Sequence, residues 1–246
     1  MESSTTKPKE SPSTYDNYRQ WKNWSKDRSV EKWFIEYFEG EIRQAGLTEA
    51  KSLLEVGFGN GDFMRWALSQ GKQITGTEII PELVERGRES GLDVYLYNIA
   101  DMEIDDGPLA GKRYDGIILF DVIEHLTAKD GMLALKRLAG LLNPGGRIVL
   151  RFPNGDSPLS VPIQNGDHTH RNAIAKSKLV QMCLGTGLTV LSYRNAQRIA
   201  ARKSTAWFKW ILFRLRDLTE IVVGYLFFNQ RRPLDPVATA VLGKAD

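Results

Sequence analysis

The feature that most constrains this chain is an alternation, from residue 51 onward, of short apolar runs with helix-forming stretches. The runs fall at 52–56, 73–77, 94–97, 116–120, 147–152 and 188–193, with a further candidate at 237–242. They are nearly continuous in apolar residues, so most read as strands buried on both faces, and the stretches between them as crossover helices. This pattern predicts an α/β, doubly wound, Rossmann-like sheet covered on both sides. The punctuation agrees. Pro81 stands where a first helical residue tolerates proline, and Gly91 where that helix should end. Thr127 reads as the cap of a helix running to Leu142, and Asn143-Pro144-Gly145-Gly146 as the turn that follows.

A chain of 246 residues, 42% hydrophobic and 26% charged, has room for one large domain and an appendage. Residues 1–13, rich in Ser, Thr, Lys, Pro and Glu, read as a disordered leader with no apolar export core. Residues 14–50 read as a helical lid, in which Ser29 caps a helix carrying Val30, Trp33, Phe34, Tyr37, Phe38 and Ile42 on one face. The core is expected over 51–194, a basic helical insertion over 195–235, and the last strand over 236–246. Cys183, the single cysteine, lies in an apolar helical run and reads as a buried, inert thiol; a reducing cytoplasm fits.

Net charge is +3, yet residues 194–232 hold nine Lys/Arg against two Asp/Glu, a local +7 that leaves −4 for the rest. On a helix, Phe208, Ile211, Leu212, Leu215, Leu218, Val222, Tyr225 and Leu226 form one stripe, with Lys209, Arg216, Asp217 and Glu220 away from it. The interior charges argue against a transmembrane span. Three uses of 207–228 stay open: docking on the chain's own core, a homodimer contact, or peripheral contact with the inner face of a membrane.

The chemistry concentrates where the expected strands end. The first ends in Glu55-Val56-Gly57-Phe58-Gly59-Asn60-Gly61, where glycines let the backbone turn sharply and approach a ligand. A dinucleotide fingerprint needs glycine three residues after Gly59, and Asp62 stands there. Glu78 ends the second run, 21 positions after Gly57, where a carboxylate accepts both ribose hydroxyls. Asp101 follows the third and suits an adenine amino group, with Met102 and Ile79 as walls of the ring site. Phe120-Asp121-Val122-Ile123-Glu124-His125 closes the fourth.

As a set, these residues together with Leu142-x-Pro144-Gly145-Gly146 resemble the motifs of class I S-adenosylmethionine (SAM)-dependent methyltransferases, nearest the quinone-biosynthesis O-methyltransferase-like branch, over roughly residues 50–195. The resemblance implies a seven-stranded, mostly parallel sheet with an antiparallel last strand, and SAM as the cofactor. It implies donor contacts from Glu55, Gly57, Phe58, Gly59, Gly61, Glu78, Ile79, Asp101, Met102 and Phe120. Tyr18 and Trp24, from the aromatic segment before residue 28, would close over the donor. The stretches 151–158 and 166–170, with Trp21 and Trp24, are similar to methyltransferases associated with bacterial surface polysaccharides, which implies a sugar or glycan hydroxyl as acceptor. A quinone or other lipid-linked small molecule is the alternative, and a non-catalytic SAM-fold binding protein a further one. No Asn-Pro-Pro-Tyr or Asp-Pro-Pro-Tyr motif is present, so a nucleic-acid acceptor is not expected.

An alcohol must lose its proton as it takes a methyl group, which calls for a general base. The chain has three histidines, His125, His168 and His170. His170 is favoured as base or acceptor-positioning group, Asp167 as the carboxylate that orients it, and His125 as the second candidate. The spacing of the three is too loose to predict a metal site.

Overall fold

A computed structural model describes residues 31–101, 107–199 and 206–245. The expected leader, the residues Tyr18, Trp24 and Ser29, and Met102 lie outside these. The elements in chain order are α1 (Lys32–Gln44), β1 (Ser52–Val56), α2 (Asp62–Ser69), β2 (Gln73–Glu78), α3 (Pro81–Glu89), β3 (Val94–Leu96), β4 (Tyr114–Phe120), α4 (Ala128–Gly140), β5 (Leu142–Pro153), α5 (Val161–Gly166), α6 (Lys176–Cys183), β6 (Leu188–Asn195), α7 (Ala206–Phe228) and β7 (Val237–Lys244).

The seven strands form one sheet in the order β3-β2-β1-β4-β5-β7-β6. β7 runs antiparallel to both neighbours, pairing Leu150 with Ala240 on one side and Tyr193 with Ala240 on the other. The remaining pairings are parallel, so only the last strand runs against the others. The order reverses between β1 and β4, and such a switch point opens a crevice at the strands' carboxyl ends. Leu53, Leu54, Ile117, Ile118 and Leu119 of these two strands are fully buried. Burial of each stabilises by roughly 1.5–3 kcal/mol relative to exposure. Their side chains alternate between two cores, one on each face of the sheet.

Local signals explain most boundaries. Thr127 caps α4, its hydroxyl accepting from Asp130 N at 3.2 Å. Pro81 opens α3, and Gly91 follows it with φ 75°. The expected turn at residues 143–146 is instead an irregular stretch inside β5, with the register shift between Tyr114 and Gly116 on the facing strand. A side chain at Gly146 would meet the Asn143 and Tyr114 carbonyl oxygens at 3.0 Å, so these backbones would have to shift slightly to admit one. Burial pushes the Cys183 thiol up to about 11, the inert thiol expected.

Two parts of the organisation differ from expectation. Over 31–50 the chain does not stand off as a lid: Tyr37, Phe38 and Ile42 of α1 are buried in the core shared with α2. Buried Glu41 ties α1 to the far edge of the sheet, accepting from Arg194 Nη2 (2.5 Å), Gln197 N (2.6 Å) and Thr239 Oγ1 (3.0 Å). The second difference concerns α7, which occupies the β6–β7 crossover. Its apolar stripe does not dock on the core; its polar face does. Arg198 binds Asp217 (2.7 Å), Glu220 (3.1 Å) and Asp235 (2.6 Å), and Asn195 and Arg231 also bind Glu220. Arg198→Ala removes the cation shared by Asp217, Glu220 and Asp235. Because Arg231 still meets Glu220 and Arg216 still meets Asp235, the loss is about 1.5–3 kcal/mol, that of hydrogen bonds to charged groups. We expect a lower urea midpoint and early proteolytic cleavage within 206–228; an unchanged midpoint would show that α7 is held by other contacts.

Candidate active site

At the end of β1 the chain turns through Gly57, Gly59 and Gly61, all with positive φ (72°, 55° and 73°). Gly57 N and Phe58 N donate to Thr77 O at 2.7 and 3.2 Å, and Gly61 serves as the cap residue of α2. A side chain at Gly57 would meet Val122 Cγ2 at 2.6 Å, so this turn abuts the loop after β4. The space beside Gly59 is open. Phe58 differs from expectation: its ring is buried in the core near Gly87, and only its backbone shapes the turn.

Three acids lie at or just past the carboxyl ends of β1, β2 and β3. Glu55 is buried, and its Oε2 has no hydrogen-bond partner among the described residues. Burial, then the charges of Asp62 and Glu78, raise its carboxyl well above the usual range. Glu78 accepts from Ile79 N (2.7 Å), Gly59 N (3.2 Å) and Ile80 N (3.3 Å). Burial outweighs these three donors and raises its carboxyl too. Ile79 beside it is exposed. Asp101 is exposed and accepts from Asn98 Nδ2 at 2.8 Å.

Past the end of β4 opens a cavity of about 760 Å³. Trp33 and Tyr37 of α1, Pro153, Pro162, Ile163, Ala196, Ile199 and Val237 supply its apolar walls. Its polar groups are Asp121, Glu124, Arg151, Gln197, Asp167 and His170. Asp121 adopts φ 56°, unusual without glycine, and its carboxylate takes both Nε (3.0 Å) and Nη2 of Arg151. The guanidinium lies 5.0 Å from the Phe120 ring centroid and 5.3 Å from that of Tyr37. Phe120 is packed against Phe38 and Phe63. Arg151 is the group that sequence reasoning missed: it stood only inside a resemblance, 30 residues from the acid it pairs with.

The histidine cluster departs from expectation in its wiring. His170 Nδ1 lies 3.2 Å from Gln164 O; a carbonyl only accepts, so Nδ1 carries a proton, and in the neutral ring Nε2 is the nitrogen with the lone pair. Nε2 lies 3.8 Å from Asp167 Oδ2 and 4.0 Å from Glu124 Oε1, close enough to stabilise an imidazolium but beyond hydrogen-bond distance. Asp167 therefore does not orient His170; Gln164 O does. Asp167 Oδ1 accepts from Thr169 N (3.0 Å) and Thr169 Oγ1 (2.5 Å), and Thr169 Oγ1 lies 2.9 Å from His125 Nδ1. The hydroxyl donates to the carboxylate and accepts from the ring, so the Asp167 charge reaches His125 through Thr169. Against the cost of partial burial, the Thr169 donors and then the neighbouring histidines hold the Asp167 carboxyl below its usual range. His168 is exposed. Among the described residues, one ligand atom each from Glu124, His125 and His170 lie within 4.8 Å of one another, a grouping that differs from the three histidines weighed in the sequence by holding Glu124 in place of His168. Atoms sharing a zinc ion sit roughly 3.3 Å apart, given metal–ligand bonds of ~2.0–2.1 Å, so these side chains would have to close in to hold one.

Comparison with known proteins agrees with this geometry. Residues 30–193 match the family model of a methyltransferase domain. A ubiquinone biosynthesis O-methyltransferase of Xanthomonas axonopodis pv. citri is 25% identical over 191 residues, 68% of this chain and 77% of the relative. An uncharacterized methyltransferase of Geobacillus kaustophilus is 32% identical over 142 residues, 54% of this chain and 64% of that one. A SAM-dependent methyltransferase from Archaeoglobus fulgidus shares the fold with a TM-score of 0.61 at 15% identity, covering 94% of this chain and 99% of that one. The chain belongs to the methyltransferase-domain family and is a SAM-dependent methyltransferase.

Proposed function

We propose that the protein methylates a hydroxyl group of a small acceptor held in the cavity beside β4, with His170 as the general base. The observation that carries this is the imidazole itself: its Nδ1–H is fixed by Gln164 O, and its Nε2 lies near the carboxylates of Glu124 and Asp167, which line the cavity with it. The donor side fits SAM. The orphaned Glu55 Oε2 suits its ammonium group, Glu78 retains lone pairs for the ribose hydroxyls, and exposed Ile79 with Asp101 suits the adenine. Bound SAM supplies an electrophilic methyl group on a sulfonium centre. Attack of the acceptor oxygen on that carbon would break its bond to sulfur and release the neutral thioether S-adenosylhomocysteine. The hydroxyl proton would pass to His170 Nε2, where Glu124 and Asp167 would stabilise the resulting cation.

For the acceptor, the apolar walls favour a hydroxylated apolar ring, as in a quinol, and relatives named ubiquinone biosynthesis O-methyltransferases point the same way. The sugar or glycan hydroxyl expected from sequence has one observation on its side, the Trp33–Tyr37 aromatic wall, since sugars stack on such rings. Radiolabelled SAM offered with hydroxylated quinols, sugar nucleotides and glycan fragments separates these. Methyl ethers on the quinols are expected; methyl ethers on sugars alone would move the acceptor class, and label on nitrogen or carbon would overturn O-transfer.

A further inference from the structure

Helix α7 is mounted with its charged arc inward and its apolar arc outward. Glu220 and Gly224 are buried against the body, where a side chain on Gly224 would meet Gln230 O at 2.5 Å. On the opposite arc Leu215, Leu218, Val222 and Leu226 are 53–71% exposed, with Trp207, Trp210, Tyr225 and Phe228 toward the two ends. Monomeric soluble proteins rarely leave so long an apolar strip uncovered. α7 is not a span: among the described residues no helix is long and apolar enough to cross a membrane.

Charge decides what covers it. The acids of α7, Asp217 and Glu220, both turn inward and are taken up by Arg198 and Arg231. Arg214 flanks the apolar arc, over the Trp210 ring at 5.1 Å, and Lys209 lines the groove beside it, whereas Arg216 is taken up by Asp235. A second copy of the chain would bring the same cations to this face with no acid to meet them. The headgroups of anionic lipids supply the missing charge, and a bilayer accepts a wide apolar arc that one facing helix would cover only as a seam. The groove along α7, lined by Leu212, Leu215 and Thr219, runs to Ile199, which also lines the acceptor cavity.

We propose that α7 lies in the headgroup region of an anionic bilayer, apolar arc down, and holds the cavity mouth at the lipid surface. This rests on α7 alone and stands whichever acceptor is methylated. The test is flotation of the full chain with phosphatidylglycerol–phosphatidylcholine vesicles against phosphatidylcholine vesicles. Co-flotation with the anionic vesicles, weakened by salt, is expected. Leu218→Asp with Val222→Asp should abolish it while leaving circular dichroism and SAM affinity unchanged, because both side chains are more than half exposed on the arc facing away from the body. Arg214→Gln should weaken partitioning about five-fold, as expected for one surface cation. A chain that stays soluble at every phosphatidylglycerol content overturns the proposal. A dimer in sedimentation equilibrium that the double substitution dissolves, with no flotation, would give this face to a second copy.

Discussion

His170→Ala is expected to lower kcat by about 10²–10⁴ while leaving SAM affinity unchanged, the loss that follows removal of a general base. Three observations single out this residue. It lines the cavity; His125 does not. Its Nδ1 is occupied by Gln164 O, so Nε2 is the nitrogen presented to an acceptor. Glu124 and Asp167 lie on the Nε2 side, where they favour the ring once it takes a proton. Added imidazole should restore part of the activity of His170→Ala, since the substitution leaves space at the cavity wall for a free base. His125→Ala should cost less, because that ring is hydrogen-bonded to Thr169 and acts at most through it. Near-normal kcat in His170→Ala with the true acceptor would end this role for His170. An equal loss confined to His125→Ala would transfer it.

The expected wiring of this cluster shows where sequence reading stops. Asp167 and His170 are three residues apart, and spacing of that kind says that two groups can meet, not which acceptor each will take. Thr169, passed over between them, takes one carboxylate oxygen, and a main-chain carbonyl orients the imidazole. Arg151 and Asp121 pair across 30 residues because β4 and β5 are neighbours in register, with Phe120 opposite Arg151. That register is a property of the sheet, not of either segment. The strands themselves were legible because buried parallel strands must be apolar on both faces, and the glycine turn because it needs three positive φ angles within five residues. Asn143-Pro144-Gly145-Gly146 misled because turn-forming residues also serve where two backbones nearly touch. For α7 the periodicity correctly grouped the stripe but could not orient it. Which face docks is set by Asn195, Arg198 and Asp235, which lie outside the helix.

Glu55→Gln should weaken SAM binding roughly ten- to a hundredfold and, unlike most site substitutions, stabilise the protein without ligand. The loss follows from replacing a carboxylate opposite an ammonium group by a neutral amide, since hydrogen bonds to charged groups contribute about 1.5–3 kcal/mol. The gain follows from linkage. Burial and the nearby Asp62 and Glu78 raise the folded-state pKa of Glu55 above its value in the unfolded chain. Below the unfolded value both states hold the proton and Glu55 costs nothing. As pH rises between the two values the unfolded chain ionises first and is favoured, so stability falls; above the folded value the full penalty applies. Gln never ionises, so the thermal midpoint of ligand-free Glu55→Gln should exceed that of wild type near neutral pH, and the difference should vanish at acidic pH. Where the wild-type carboxyl is still protonated, binding the SAM ammonium should expel that proton. Calorimetry in buffers of different ionisation enthalpy should then report proton release for wild type and none for Glu55→Gln. A variant that keeps wild-type SAM affinity removes Glu55 from the donor site, whatever its effect on stability.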